Sequence, residues 1–239
     1  MTFFPGLSQR HVQPEILDQP DLAPSRHQQA LQGLARINWV SGSAGILWPS
    51  LKRLAVEKNG RPLRVLDIAT GGGDVPIRLF RRAKRAGLSV EFTGVDVSPI
   101  AIDFARDQAK RCNAAIEFYP LDALRSPLPI DYDVITSSLF LHHLDVPTAT
   151  DLLRRMGEAT RGMVLINDLI RSRLGFLLAW VGTRALSSSD IVHVDGLRSV
   201  KAAFTMTEAQ QLAEVAGLPG ASVAWRWPFR FFLQWRRAA

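Results

Sequence analysis

From Val65 to Asp74 the chain reads Val-Leu-Asp-Ile-Ala-Thr-Gly-Gly-Gly-Asp. An apolar, β-branched run stops at three glycines, and a helical pattern begins just after them. Glycines at the end of a strand let a ligand approach the backbone, and the following helix start offers free N–H groups. The segment therefore predicts a strand–loop–helix that cradles a nucleotide-like ligand. Asp67 and Asp74 set two carboxylates beside that loop. A pyrophosphate gains nothing from such neighbours, and the dinucleotide pattern G-x-G-x-x-G needs glycine or alanine where Pro76 stands. The acids suit a ligand that carries positive charge.

Around this segment strands and helices alternate. Strands are expected at Val65–Ala69, Glu91–Asp96, Ile116–Tyr119, Asp133–Ser137 and Met163–Asn167. Between them, Asp74 is expected to cap a helix that Gly87 ends. Ser98 caps the next, with Pro99 at its first position and Ile100, Phe104 and Ala105 facing inward. A helix carrying Leu152, Leu153 and Met156 runs from Pro147 to about Thr160. Such alternation implies a doubly wound α/β fold, a mostly parallel sheet covered by helices on both faces.

Residues 170–204 interrupt the pattern as an insert. It holds an apolar helix near Leu174–Leu186, then a polar loop through Ser187, Ser188, Ser189, Asp190 and His193. A helix from Met206 opens with the capping box of Thr205 and Glu208 and closes at Gly217. The tail, Ser222–Trp227, Pro228 and Phe229–Trp235, reads as a hairpin. Upstream, residues 1 to about 24, with Pro5, Gly6, Pro14, Pro20 and Pro24, read as an extended arm. Helices follow at Ser25–Val40 and at Ile46–Val56, the second bent or started at Pro49. The chain thus divides into an arm and helical cap (1–60) and a core (61–239) that contains the 170–204 lid.

Three strand-end acids define the ligand. Asp96 ends the second strand, twenty-five residues past Gly71, where a carboxylate accepts both hydroxyls of a ribose. Asp122 follows the third strand, suited to an adenine amino group. Together with Asp67 they converge on the carboxyl edge of the sheet. With these residues in place the sequence resembles the class I S-adenosylmethionine-dependent methyltransferases. Asp67-x-x-x-Gly71-x-Gly73, with Ala69 inside it, looks like their first motif. Asp96, followed by Val97, looks like the ribose-binding acid, and Asp122-Ala123 like the adenine-contacting pair. The run from Asp133 through Ser138 and Leu139 to His142, His143 and Leu144 looks like the fourth motif, which lines the methyl donor. The resemblance implies a Rossmann-like, seven-stranded sheet with an antiparallel last strand, and S-adenosylmethionine as cofactor.

The acceptor is less defined. Methyl transfer to a phenol or enol benefits from loss of a proton, so histidines matter. His143, beside the expected donor methyl, and His193 in the insert are the candidate bases, with Asp195 or Asp168 orienting the latter. No metal ligands are assigned. Leu174, Phe176, Leu177, Leu178, Trp180 and Val181 are too apolar for an exposed loop. They close a greasy pocket, dock on a membrane surface beside Arg171, Arg173 and Arg184, or form a homodimer face. The expected acceptor is a lipophilic phenol or polyketide methylated on oxygen. A quinone precursor methylated on carbon, and a noncatalytic nucleotide- or RNA-binding protein, are the alternatives. The net charge of +7 is scattered, and Trp225-Arg226-Trp227 fits a hairpin better than a nucleic-acid platform. A single cysteine, Cys112, and no secretory pattern in Met1–Gly6 fit the cytoplasm, with contact to membrane at the periphery.

Overall fold

Seven strands form one sheet in the order β3-β2-β1-β4-β5-β7-β6. The computed structural model describes residues 7–19 and 21–238. Met1–Gly6, and with them Pro5 and Gly6 of the expected arm and the leader reading, lie outside the described residues, as do Pro20 and Ala239. Strands β1 (Leu63–Ile68), β2 (Val90–Asp96), β3 (Ile116–Pro120), β4 (Tyr132–Ser138) and β5 (Thr160–Leu169) run parallel. β6 (Ser222–Arg226) and β7 (Arg230–Arg236) form the expected hairpin, and β7 lies antiparallel to β5 with Met163 opposite Arg236. The antiparallel last strand agrees with the expected fold.

The strands bury both faces, which is why they read as apolar runs rather than alternations. Leu63 and Val65 of β1 pack under α2 (Ser43–Glu57) and α3 (Asp74–Arg85). Leu66 and Ile68 pack under α5 (Val146–Ala159) and α8 (Met206–Val215). Each fully buried Leu or Ile is worth about 1.5–3 kcal/mol. The chain order reverses at β1, so the crevice between β1 and β4 at the carboxyl edge is the topological switch point.

Some local expectations change. α2 starts at Ser43, behind Gly42 at φ +70°, and carries Pro49 inside it. Gly73, not Asp74, occupies the cap position of α3, at φ +71°, and Asp74 is the first helical residue. In α4 (Pro99–Arg111) the inward face is Ala101, Ile102, Ala105 and Ala109, while Ile100 and Phe104 are half-buried. The largest change is in the insert. Its apolar helix, α6 (Arg173–Leu186), is followed by a second helix, α7 (Asp190–Ala202), so His193 is helical rather than in a loop. The polar run ends at Ser189, and Asp190 then supplies an acid in the first turn, favourable to the helix dipole.

α1 (Pro24–Val40), α6 and α7 form a cap over the carboxyl edge. The arm is fastened to this cap by named bonds. Asp195 of α7 accepts the N–H groups of Ile16 and Leu17 at 3.0 Å each, and the Arg10 guanidinium donates to the carbonyls of His142 and Ala202. Among the described residues no helix is long and apolar enough to cross a membrane.

Candidate cofactor and acceptor site

A cavity of about 960 Å³ lies between the carboxyl edge and the cap. One end is built by strand termini. Asp67 at the end of β1 is buried, and its two oxygens accept the hydroxyls of Thr136 (2.6 Å) and Thr70 (2.8 Å). Its role is to hold the loop. Ala69 then turns at φ +52° and Gly71 at +54°. Asp96 at the end of β2 accepts the N–H of Gly71 (2.8 Å) and of Ser98 (2.9 Å), which orients its remaining lone pairs toward the cavity wall it lines. Asp122 accepts the N–H of Leu124 at 2.9 Å in a tight turn, next to Ala123. Val97 is an exposed apolar side chain beside Asp96, 66% accessible, at the cavity rim.

The charges here are shaped by burial. Desolvation pushes Asp67 and Asp74 each up to about 6. It also raises Asp96, against the N–H groups of Ser98 and Gly71. Desolvation lowers Arg230 to about 10, against the pull of Asp168 and Asp74. Four buried polar atoms at the cavity lack partners among the described residues: Asp74 Oδ2, Ser138 Oγ, and Nε and Nη1 of Arg230. An unpartnered carboxylate oxygen and two unpartnered guanidinium nitrogens on one cavity are complementary to an amino-acid zwitterion. These polar groups lie along one wall, and their chemistry fits S-adenosylmethionine, whose ammonium, carboxylate, ribose and adenine call for partners of this kind.

The other end is apolar, walled by Leu34 and Ile37 of α1, Leu178 and Leu186 of α6, Val192 of α7, and Phe229. α6 therefore closes the cavity with one face, while Leu174, Leu177 and Trp180 stay exposed. Set into this apolar end is one polar cluster. A single 3-10 turn, Leu141–His143, follows β4 and aims both histidines inward. His142 Nδ1 donates to Asp168 Oδ1 at 2.6 Å, and its Nε2 lies 3.7 Å from Glu15 Oε1. His143 Nδ1 donates to Asp18 Oδ2 at 3.1 Å, and its Nε2 lies 3.8 Å from the same Glu15 oxygen. Burial opposes charge on His142, but Asp168 and Glu15 outweigh it and raise its pKa to about 10. Burial would likewise raise Glu15 and Asp168, and the imidazoles hold both below the ordinary carboxylate range.

Comparison with known proteins gives the architecture a family. Residues 65–162 match the family described as "Methyltransferase domain". Demethylmenaquinone methyltransferase of Thermus thermophilus is 38% identical over 47% of this chain and 50% of its own length. Ubiquinone biosynthesis O-methyltransferase of Bordetella bronchiseptica is 26% identical over 62% of this chain and 54% of its own. The solved structure of human N-acetylserotonin methyltransferase in complex with S-adenosylmethionine superposes with a TM-score of 0.63 at 16% identity, covering 91% of this chain and 57% of that one. Residues 65–162 thus carry a methyltransferase domain, on the fold of S-adenosylmethionine-dependent methyltransferases. It spans about half the length, or less, of the curated relatives it matches.

Within the methyltransferase domain, the structure places Asp67, Ala69, Gly71, Asp96, Val97, Asp122, Ala123, Ser138 and His143 on the cavity. Gly73 stands behind it. A Cβ there would come within 2.9 Å of Ala105 and Phe118, so Gly73 serves the packing of the loop. His193 is elsewhere. Its Nε2 bonds the Ser187 carbonyl at 2.8 Å at the end of α6, it does not line the cavity, and Asp195 and Asp168 are engaged with the arm and His142. The expectation that His193 acts as base is corrected on that ground. Glu15, His142 and Arg230 also line the cavity, beyond the residues the sequence points to. Only the adjacent His-His pair carried a sequence signal; Glu15 reaches the site from 127 residues upstream of His142.

Proposed function

We propose that this chain transfers a methyl group from S-adenosylmethionine to a hydroxyl oxygen of a lipophilic phenolic or polyketide-type small molecule. One observation carries the reading: the polar wall and the apolar end belong to one continuous cavity, and the Glu15, His142 and His143 cluster stands in its apolar part. When bound, S-adenosylmethionine supplies an electrophilic methyl group on a sulfonium. Asp74 and Arg230 hold the ammonium and carboxylate, Asp96 the ribose, and Asp122 with Val97 the adenine. The α1, α6 and α7 cap excludes water, which favours a charged donor meeting a neutral or anionic oxygen. The apolar walls orient the acceptor, and His143 and Glu15 of the cluster supply the polar groups that withdraw its proton.

A second reading, transfer to carbon of a quinone precursor, is favoured by the likeness to the demethylmenaquinone methyltransferase. Calorimetry should give one site each for S-adenosylmethionine and its demethylated product and none for NAD. No binding of the first two ends the reading. Tracing a labelled methyl group in the product of a phenolic-lipid screen separates oxygen from carbon.

A further inference from the structure

We propose that Glu15, His142 and His143 form a binding site for one divalent first-row transition-metal ion at the acceptor end of the cavity. The three side chains offer Oε1, Nε2 and Nε2, all within 4.8 Å of one another, and all three line the cavity. Their backing matters more than their proximity. Each histidine commits Nδ1 to a carboxylate, His142 to Asp168 and His143 to Asp18. An ion that binds here displaces the Nε2 proton that the carboxylates otherwise hold on His142; with Nδ1 still protonated each ring then presents a lone pair at Nε2, and both Nε2 atoms lie within 4 Å of the same glutamate oxygen. Carboxylate–histidine pairs of this kind fix the tautomer and the ring orientation of metal ligands. Ser199 donates to that glutamate oxygen and orients it in turn.

Two imidazoles and one carboxylate suit zinc or ferrous iron, and three protein ligands leave a position open. Ligands at about 2.0–2.1 Å on a tetrahedral ion stand roughly 3.4 Å apart. The Glu15 separations of 3.7 and 3.8 Å exceed that by a few tenths of an ångström, and the two Nε2 atoms lie within 4.8 Å of each other, so an ion draws both the carboxylate and the imidazoles inward. Glu15 sits on the arm, so the arm and the β4 turn share one ion, and the open position faces the apolar end. The role of that position, taking up the acceptor oxygen and lowering its pKa as a Lewis acid, rests on the methyltransferase reading. Binding of the ion does not.

The test uses the full, tag-free chain, freed of metal by chelator, titrated with Zn²⁺ by calorimetry and with Co²⁺ by visible absorption. The expected result is one ion per chain with the intense bands of low-coordinate cobalt. His143→Ala and Glu15→Gln should each weaken Zn²⁺ binding at least tenfold and abolish those bands, with melting curves showing both variants folded. Asp18→Asn, which leaves the ligands in place, should weaken binding less than either. No saturable uptake by the wild type, or equal uptake by wild type and both variants, overturns the site. S-adenosylmethionine titrated into the metal-free chain keeps the two readings apart. Its binding without metal uptake removes the ion and leaves the methyltransferase; metal uptake without its binding does the reverse.

Discussion

The two ends of the cavity are built by different rules. The cofactor end is assembled mainly from loops that each follow one strand, and its turns are closed by bonds short in sequence, Thr70 to Asp67, Ser98 to Asp96 and Leu124 to Asp122, with Thr136 and Arg230 added from more distant strands. The acceptor end is assembled from the arm, α1, the β4 turn, α6, α7 and the β6–β7 hairpin, and its bonds span most of the chain, as from Glu15 to Ser199. A local rule leaves a local pattern, so the first end is legible in a single sequence. A long-range assembly leaves none. It also follows that the two ends should fail separately when mutated.

The largest separation is expected at the acceptor end. His143→Ala should lower turnover about 10²- to 10⁴-fold, the range for losing a group that handles a proton in the transition state. Affinity for S-adenosylmethionine, measured by calorimetry, should stay within about twofold, because that ring is held by Asp18 and Glu15 of the arm and packs on Phe140 and His142. A parallel collapse of cofactor affinity would show that the two ends are one unit.

Gly73→Ala tests the opposite end through its scaffold. The residue needs φ +71°, and its Cβ would meet Ala105 and Phe118 at 2.9 Å. Strain and overpacking together should cost about 2–4 kcal/mol of stability by thermal or denaturant unfolding. A neutral outcome would mean that the loop can move without the cavity noticing. Next in size is Asp96→Asn, which weakens two charge-assisted bonds to the loop and the grip on the ribose. About 1.5–3 kcal/mol, or roughly 10- to 100-fold in cofactor affinity, should be lost with little change in the acceptor's KM.

The same contrast explains what was legible. The glycine turn, Asp67, Asp96 and Asp122 were found because a strand end, a tight turn and a helix start follow one another within a few residues. The antiparallel β7 came only from the family resemblance, since pairing with β5 joins residues some seventy apart. The serine run Ser187–Ser189 reads as the start of a loop that would carry His193, whereas a helix begins at Asp190 and turns that imidazole to the Ser187 carbonyl. Glu15 carried no signal: a lone glutamate in a proline-bearing arm acquires meaning only when Asp195 pins the arm's Ile16 and Leu17 onto α7. Arg230 carries no signal of its own within a tail that reads as a hairpin, yet it is buried, donating to Ser41 at 2.7 Å.

The smallest effect sharpens the comparison most, because it reports the charge at one end alone. Burial pushes Asp74 up to about 6, while Asn38, Arg78 and Arg230 favour its ionised form. An unfolded aspartate titrates near 4, so the empty protein holds this proton more tightly than the unfolded chain does. Its contribution to stability is therefore most favourable below about pH 4 and is lost as pH rises through about 6. A ligand ammonium on Asp74 Oδ2 needs the ionised carboxylate, so cofactor affinity must run the other way. It should be flat above about pH 6 and fall up to tenfold per pH unit below it, roughly tenfold between pH 7 and pH 5. Asp67 shares the raised value, but its oxygens are taken by Thr136 and Thr70, so the dependence should follow Asp74. Calorimetry of wild type and Asp74→Asn across this range decides it. The variant should bind S-adenosylmethionine more weakly at pH 7 and show a flattened profile. An unchanged slope in Asp74→Asn would move the ammonium to another acid and leave the orphaned oxygen without its partner.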